Sequence, residues 1–225
     1  MTAEVTGGAI KSFDDGYLLA TGDGQLRLLS WDQEQRQLQS RVLGLRVPLN
    51  RDDFVRDTKT HKDVNTRVFR TADILVQDLG DNFRLFVSHH YWNTEKQCFT
   101  VRVSAIRGSY STFAANEEFQ RWETVYESSP CLRLKTKLDP FAGYQIGGKL
   151  ALIDNHNLLL TMGDHKLDGV DSDEKISQDP TADYGKNILV DLETYAVSTF
   201  SIGHRNAQGL HVDRNGTIWS TEHGP

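Results

Sequence analysis

One phrase of sequence returns along this chain, and it restricts the possible folds more than anything else does. Gly7-Gly8-Ala9-Ile10-Lys11-Ser12-Phe13 alternates in side-chain character, Asp14-Asp15-Gly16 turns, and Tyr17-Leu18-Leu19-Ala20-Thr21 leads back to Gly22-Asp23. Alternation of period two, punctuated by Gly and Asp, is the pattern of a β-hairpin. The phrase recurs as Gly148-Lys149-Leu150-Ala151-Leu152, Asp154-Asn155-His156-Asn157, residues 158–161 and Gly163-Asp164. It recurs again over residues 209–212, Asn215-Gly216 and residues 218–221. The gap from Gly8 to Gly148 is more than twice that from Gly148 to Gly209, so it has room for a further unit. Asp73-Ile74-Leu75-Val76-Gln77, a turn at Gly80-Asp81-Asn82 and Arg84-Leu85-Phe86-Val87-Ser88 supply it, with strands expected over 99–106 and 122–126.

Segments 25–31 and 37–43 would complete the first unit as four strands. A repeated four-stranded antiparallel unit predicts an all-β chain, specifically a β-propeller of about three and a half blades. The expected blades cover 7–43, 72–126 and 146–201, with a fourth beginning at 207–225. The polar insert 49–67, with Asn50-Arg51-Asp52-Asp53 and Lys59-Thr60-His61-Lys62-Asp63, mixes charge signs and reads as a surface loop. Residues 112–122, around Asn116-Glu117-Glu118, allow one or two helical turns, and helix should otherwise be scarce.

Composition excludes several partners. The 225 residues are 38% hydrophobic and carry a formal net charge of -6, with no basic cluster, so a nucleic-acid backbone is not an expected partner. No apolar run approaches the roughly 18 residues of a membrane span. Met1-Thr2-Ala3-Glu4-Val5 has neither a basic nor an apolar leader region, so no export signal is expected in this sequence. Cys98 and Cys131 are too few for a disulfide scaffold and lack zinc spacing. A bridge between them and a pair of buried thiols stand as equal alternatives.

The chemistry concentrates in Gly203-His204-Arg205-Asn206-Ala207-Gln208-Gly209-Leu210 and Thr221-Glu222-His223-Gly224-Pro225. Together with Gly147-Gly148-Lys149-Leu150, residues 158–164 and Asp183-Tyr184-Gly185-Lys186, these motifs resemble the soluble quinoprotein glucose/sorbosone dehydrogenases. The resemblance is dense over 145–225 and diffuse before it. It implies a six-bladed propeller of which this chain is a part, pyrroloquinoline quinone (PQQ) and calcium as cofactors, a sugar or alcohol substrate and an external electron acceptor. It also implies a periplasmic or secreted location, and part of a six-bladed ring would leave blade faces and strand edges open, so that the chain is expected to be poorly soluble or oligomeric.

Carried over residue by residue, the resemblance assigns Arg205, Asn206 and His223 to PQQ. A guanidinium forks well onto the carboxylates of a flat tricarboxylate. Gly224 and Pro225 would offer backbone carbonyls to calcium, a hard cation that takes oxygen ligands. The main departure is Gln145. The glucose-oxidising members place a His at this position as the base, and a Gln amide accepts no proton near neutrality. Asp164 matches the carboxylate that supports that base, and either acts as a base itself or orients His165. Against this stands a structural reading in which Asp164 caps a turn and His165 faces solvent, since Gly22-Asp23 ends the first hairpin in the same way.

Residues 168–174 read chiefly as a solvated acidic loop, with a second calcium as the alternative. His89 and His90 point to opposite faces of a strand and cannot readily share one metal. Two functions remain. One is a fragment of a PQQ- and calcium-dependent sugar or alcohol dehydrogenase. The other is a non-catalytic propeller used to bind a ligand or protein.

Overall fold

The computed structural model describes residues 5–115, 121–135 and 139–223 of the chain. Strands β1 (Gly8–Phe13), β2 (Gly16–Thr21), β3 (Gln25–Asp32) and β4 (Gln37–Arg46) form the first antiparallel sheet, in that order. The second contains β5 (Thr71–Leu79), β6 (Asn82–Asn93), β7 (Cys98–Ser109) and β8 (Glu123–Glu127). The third contains β9 (Gly147–Leu152), β10 (Asn157–Met162), β11 (Lys186–Asp191) and β12 (Val197–Ile202). β13 (Ala207–Val212) and β14 (Ile218–Glu222) pair as a two-stranded sheet. Each sheet is a meander, because each strand pairs with the next in sequence.

The turns form where the punctuation predicts them. Asp14 takes a positive φ between β1 and β2, where Phe13 pairs with Gly16. Gly80 does the same where Leu79 pairs with Asn82. At the other two hairpins an Asp carboxylate caps the reversal. Asp154 accepts the N–H groups of His156 and Asn157, and Asp213 accepts those of Asn215 and Thr217. Such local capping fixes register without help from the core.

Consecutive sheets meet through their first strands, with β1 against β5, β5 against β9 and β9 against β13. Gly148, at φ +79°, permits the middle contact, since a Cβ there would lie 2.5 Å from that of Ala72. Hydrogen bonds cross the same seams: Leu150 N–H donates to Asp73 at 3.1 Å, and the Thr161 hydroxyl to the carbonyl of Ala207 at 2.9 Å. The apolar side chains between the sheets form one continuous core.

One sequence expectation needs correction. The insert 49–67 is not simply a solvated loop. It contains helix α1 (Arg51–Asp57), whose Phe54 is fully buried and stacks on Phe69 with ring centroids 4.1 Å apart. A single aromatic among charges escapes a pattern search, yet it pins the insert to the core beside Trp92 and Phe141. The Ser88-His89-His90-Tyr91-Trp92 run forms the C-terminal part of β6 and is largely buried. Elsewhere, α2 (Tyr110–Ala115) gives the short helix expected in that region, while residues 116–118 lie outside the described residues. Cys98 and Cys131 are joined as a disulfide, their Cα atoms 5.6 Å apart.

Candidate functional site

In an antiparallel four-strand meander, the entry to the first strand, the link from second to third and the exit from the fourth all lie at one end. The starts of β1, β5 and β9 line one cleft together with Gln208, so these ends coincide from sheet to sheet. The long connections 47–70, 128–146 and 163–185 therefore share one rim with the 203–206 turn. Loops held on a rigid scaffold are where binding groups concentrate.

Three of these segments are stitched together by backbone. Gly163 N–H donates to the carbonyl of Ile146 at 2.9 Å, and Asp164 N–H to that of Arg205 at 2.9 Å. Gly147 N–H donates to the side-chain oxygen of Asn206 at 3.2 Å. Gln145, Asp164, Arg205 and Asn206 are thus brought to one place. Asn206 is buried, and its carbonyl accepts the N–H of His223 at 3.2 Å, which draws the exposed His223 to the same corner. Gly224 and Pro225 lie outside the described residues.

Glu222 organises this corner, although sequence reasoning gave it no role. Its Oε1 accepts the N–H groups of Arg205 and Asn206, and its Oε2 lies 3.2 Å from Nδ1 of His204. Burial pushes the carboxyl up, but these two N–H groups and His204 outweigh it and hold it below the usual Glu range. The signal that could have found it is the pairing of β13 with β14, which sets Ala207 opposite Glu222.

The Arg205 guanidinium reaches the acidic loop, with Nη2 3.3 Å from Asp168 and 3.8 Å from Asp171. Asp168 is therefore no solvated carboxylate. Burial raises its pKa, but the N–H groups of Val170 and Asp171 and the charge of Arg205 bring it below the ordinary value. Among the described residues, no three His, Cys, Asp or Glu side chains gather as a metal site, and of the loop's acids Asp168 and Asp171 face Arg205.

Asp164 and His165 part company. The Asp164 carboxyl is 1% exposed and its pKa is raised to about 6. Burial is the chief cause and Asp168 adds to it, while the Lys166 N–H, Arg205 and Lys135 oppose it. His165 turns its ring inward among His90, Phe99 and Tyr184, at centroid distances of 5.5, 5.2 and 5.6 Å. Burial lowers its pKa to about 3, so the imidazole is neutral, and it does not face solvent. His165 and Lys166 both take positive φ, and their carbonyls are held by the Lys135 ammonium at 2.9 and 3.0 Å. Two consecutive left-handed residues without glycine are a costly turn, of the kind found where a side chain must be aimed. Lys166 N–H in turn donates to Asp164 at 2.9 Å.

Gln145 is 6% exposed, and its Oε1 has no hydrogen-bond partner among the described residues. A buried carbonyl oxygen left unpaired is costly, on the order of 1–3 kcal/mol. His89 and His90 separate as strand alternation requires. His89 bonds Ser104 at 2.8 Å, and His90 receives the Arg70 N–H at 3.1 Å.

A family model described as Glucose / Sorbosone dehydrogenase matches residues 9–225. No curated protein matches the chain.

Proposed function

The chain belongs to the glucose/sorbosone dehydrogenase family, and from that premise we propose that it is part of a β-propeller dehydrogenase acting on a sugar or alcohol hydroxyl with PQQ and calcium. On this reading the four sheets, meeting through their first strands, are about three and a half blades of the family's six. The observation that carries the proposal is the convergence of Gln145, Asp164, Arg205 and Asn206 at one rim, stitched by backbone hydrogen bonds and by the Asn206 side chain.

The residues present suit an acidic planar cofactor. Arg205 offers a partly exposed guanidinium, Glu222 fixes the turn that carries it, and Gln145 Oε1 lies buried with no partner among the described residues. Arg205, Asn206 and His223 would hold PQQ, and the carbonyls of Gly224 and Pro225 would hold calcium. When bound, the pair supplies a hydride acceptor and the positive charge that polarises it.

Proton removal falls to Asp164. Its pKa of about 6 leaves it ionised at neutral pH yet basic enough to take a hydroxyl proton. Gln145 replaces the usual base with an acceptor that orients the hydroxyl without ionising. His165, sealed in the aromatic core, takes no part in the proton transfer.

A second reading rests on the covering of Asp164, 1% exposed, together with Gln145 at the base position. On that reading the rim binds a ligand and catalyses nothing. Reconstitution with PQQ and calcium, followed by dye reduction across a panel of aldoses and alcohols, separates the two. The dehydrogenase reading expects turnover that rises with pH through about 6. It also expects Asp164→Asn to lose about 100-fold or more in rate with quinone affinity retained. Quinone binding with no turnover of any substrate favours the binding module.

A further inference from the structure

The starts of β1, β5, β9 and β13 enclose a cleft of about 170 Å³, walled by Gly7, Arg70, Thr71, Gly147, Lys149 and Gln208. Clefts that take a whole small ligand run to roughly 300–1,000 Å³, so this one accommodates a single functional group. Its charge is positive, against the negative balance of the chain.

Arg70 is the reason. Its guanidinium is partly buried, and among the described residues no carboxylate pairs with it: one Nη donates to the carbonyl of Tyr144 at a long 3.4 Å, and Nε has no partner. Burial alone pushes its pKa down, with no opposing acid. The neighbouring Thr71 hydroxyl is fully buried and likewise has no partner among the described residues. Lys149 adds a second cation that is only loosely balanced, its ammonium 3.9 Å from Asp73, whose other oxygen is taken by the Leu150 N–H. Gly7 leaves space for the arrangement, since a Cβ there would lie 2.6 Å from Cδ of Arg70. A desolvated guanidinium with unused donors is costly unless an anion meets it.

We infer that this cleft is an oxyanion site, in which Arg70 and Lys149 take one carboxylate or phosphate group. The inference is independent of the quinone reading, because Arg70 is none of the residues assigned to PQQ. The carboxylate of an acidic sugar, the edge of a polycarboxylate cofactor and free phosphate share the required chemistry.

Calorimetric titration of the full chain with glucuronate, inorganic phosphate, PQQ and, as the neutral control, glucose tests it. At least one of the three anions should bind, glucose should not bind at this cleft, and Arg70→Ala should weaken the anion about tenfold or more, with Arg70→Lys intermediate. Which of the three responds to Arg70→Ala identifies the source of the oxyanion. Thermal unfolding of each variant controls for folding, and Lys149→Met provides a second test if Arg70→Ala fails to fold. Binding of glucuronate or phosphate that responds to Arg70, with no such response from PQQ, upholds the cleft and excludes PQQ as its occupant. Anion affinity unchanged in both Arg70→Lys and Lys149→Met, or no anion binding at all, overturns it.

Discussion

At the scale of single residues, Glu222 decides how firmly the corner is held. One carboxylate satisfies the N–H groups at the entrance to β13 and steadies His204, so the Arg205 side chain leaves from a fixed backbone. Glu222→Gln keeps the size and removes the charge. It should cost about 1–2 kcal/mol in urea unfolding and weaken quinone binding further than that loss of stability explains. Equal binding by the variant and the wild type would detach the corner from the cofactor. The Arg205-Asn206 pair could be read from sequence because its motif is local. The part played by Glu222 could not, since it depends on a register between two strands. His165 was equally unreadable, because a turn of positive φ is what rotates it from the rim into the core.

At the scale of elements, the hairpins were legible because alternation and turn chemistry sit within a dozen residues of each other. The insert between the first two sheets was not, because its anchorage rests on one side chain. Phe54 touches Phe69, Trp92 and Phe141, and Asp57 at the end of α1 accepts the Trp92 indole N–H at 2.8 Å. Phe54→Ala should therefore destabilise the chain by about 3–5 kcal/mol, measured by denaturant midpoint, despite the polar sequence around it. A cost below about 1 kcal/mol would mean that the helix is peripheral. The disulfide works alongside this anchor. It ties the start of β7 to the connection carrying Gln145, and the Phe99–Leu132 backbone bonds of 2.8 Å reinforce the junction. Two cysteines far apart in sequence, with no spacing motif, gave no means of choosing bridge over thiols before the strands were in place.

At the scale of the whole molecule, the core contains three neutral imidazoles. Burial lowers His89 to about 4 and His165 to about 3, and His90 also lies well below its ordinary value. In the unfolded chain each titrates near 6.5, so the unfolded state binds more protons below that pH, and stability falls as pH drops toward 4. Asp164 acts in the opposite sense, since its raised pKa makes the unfolded chain the weaker proton binder between about 4 and 6. Three imidazoles outweigh one carboxyl, and the melting temperature should fall steadily below about pH 6. His165→Phe, which retains an aromatic ring in the cluster, should make that acid limb shallower. An unchanged limb would remove His165 from the account. Apolar side chains also remain outside the core, with Trp31, Leu38 and Trp219 exposed and Ile202 71% exposed. The sheets distribute their connections unevenly. On one side the chain reverses within a few residues at 14–15, 80–81 and 153–156, while the three long excursions all gather on the other. A lineage can therefore rewrite what this surface recognises by trading one excursion for another, and the ladders beneath would inherit none of the change.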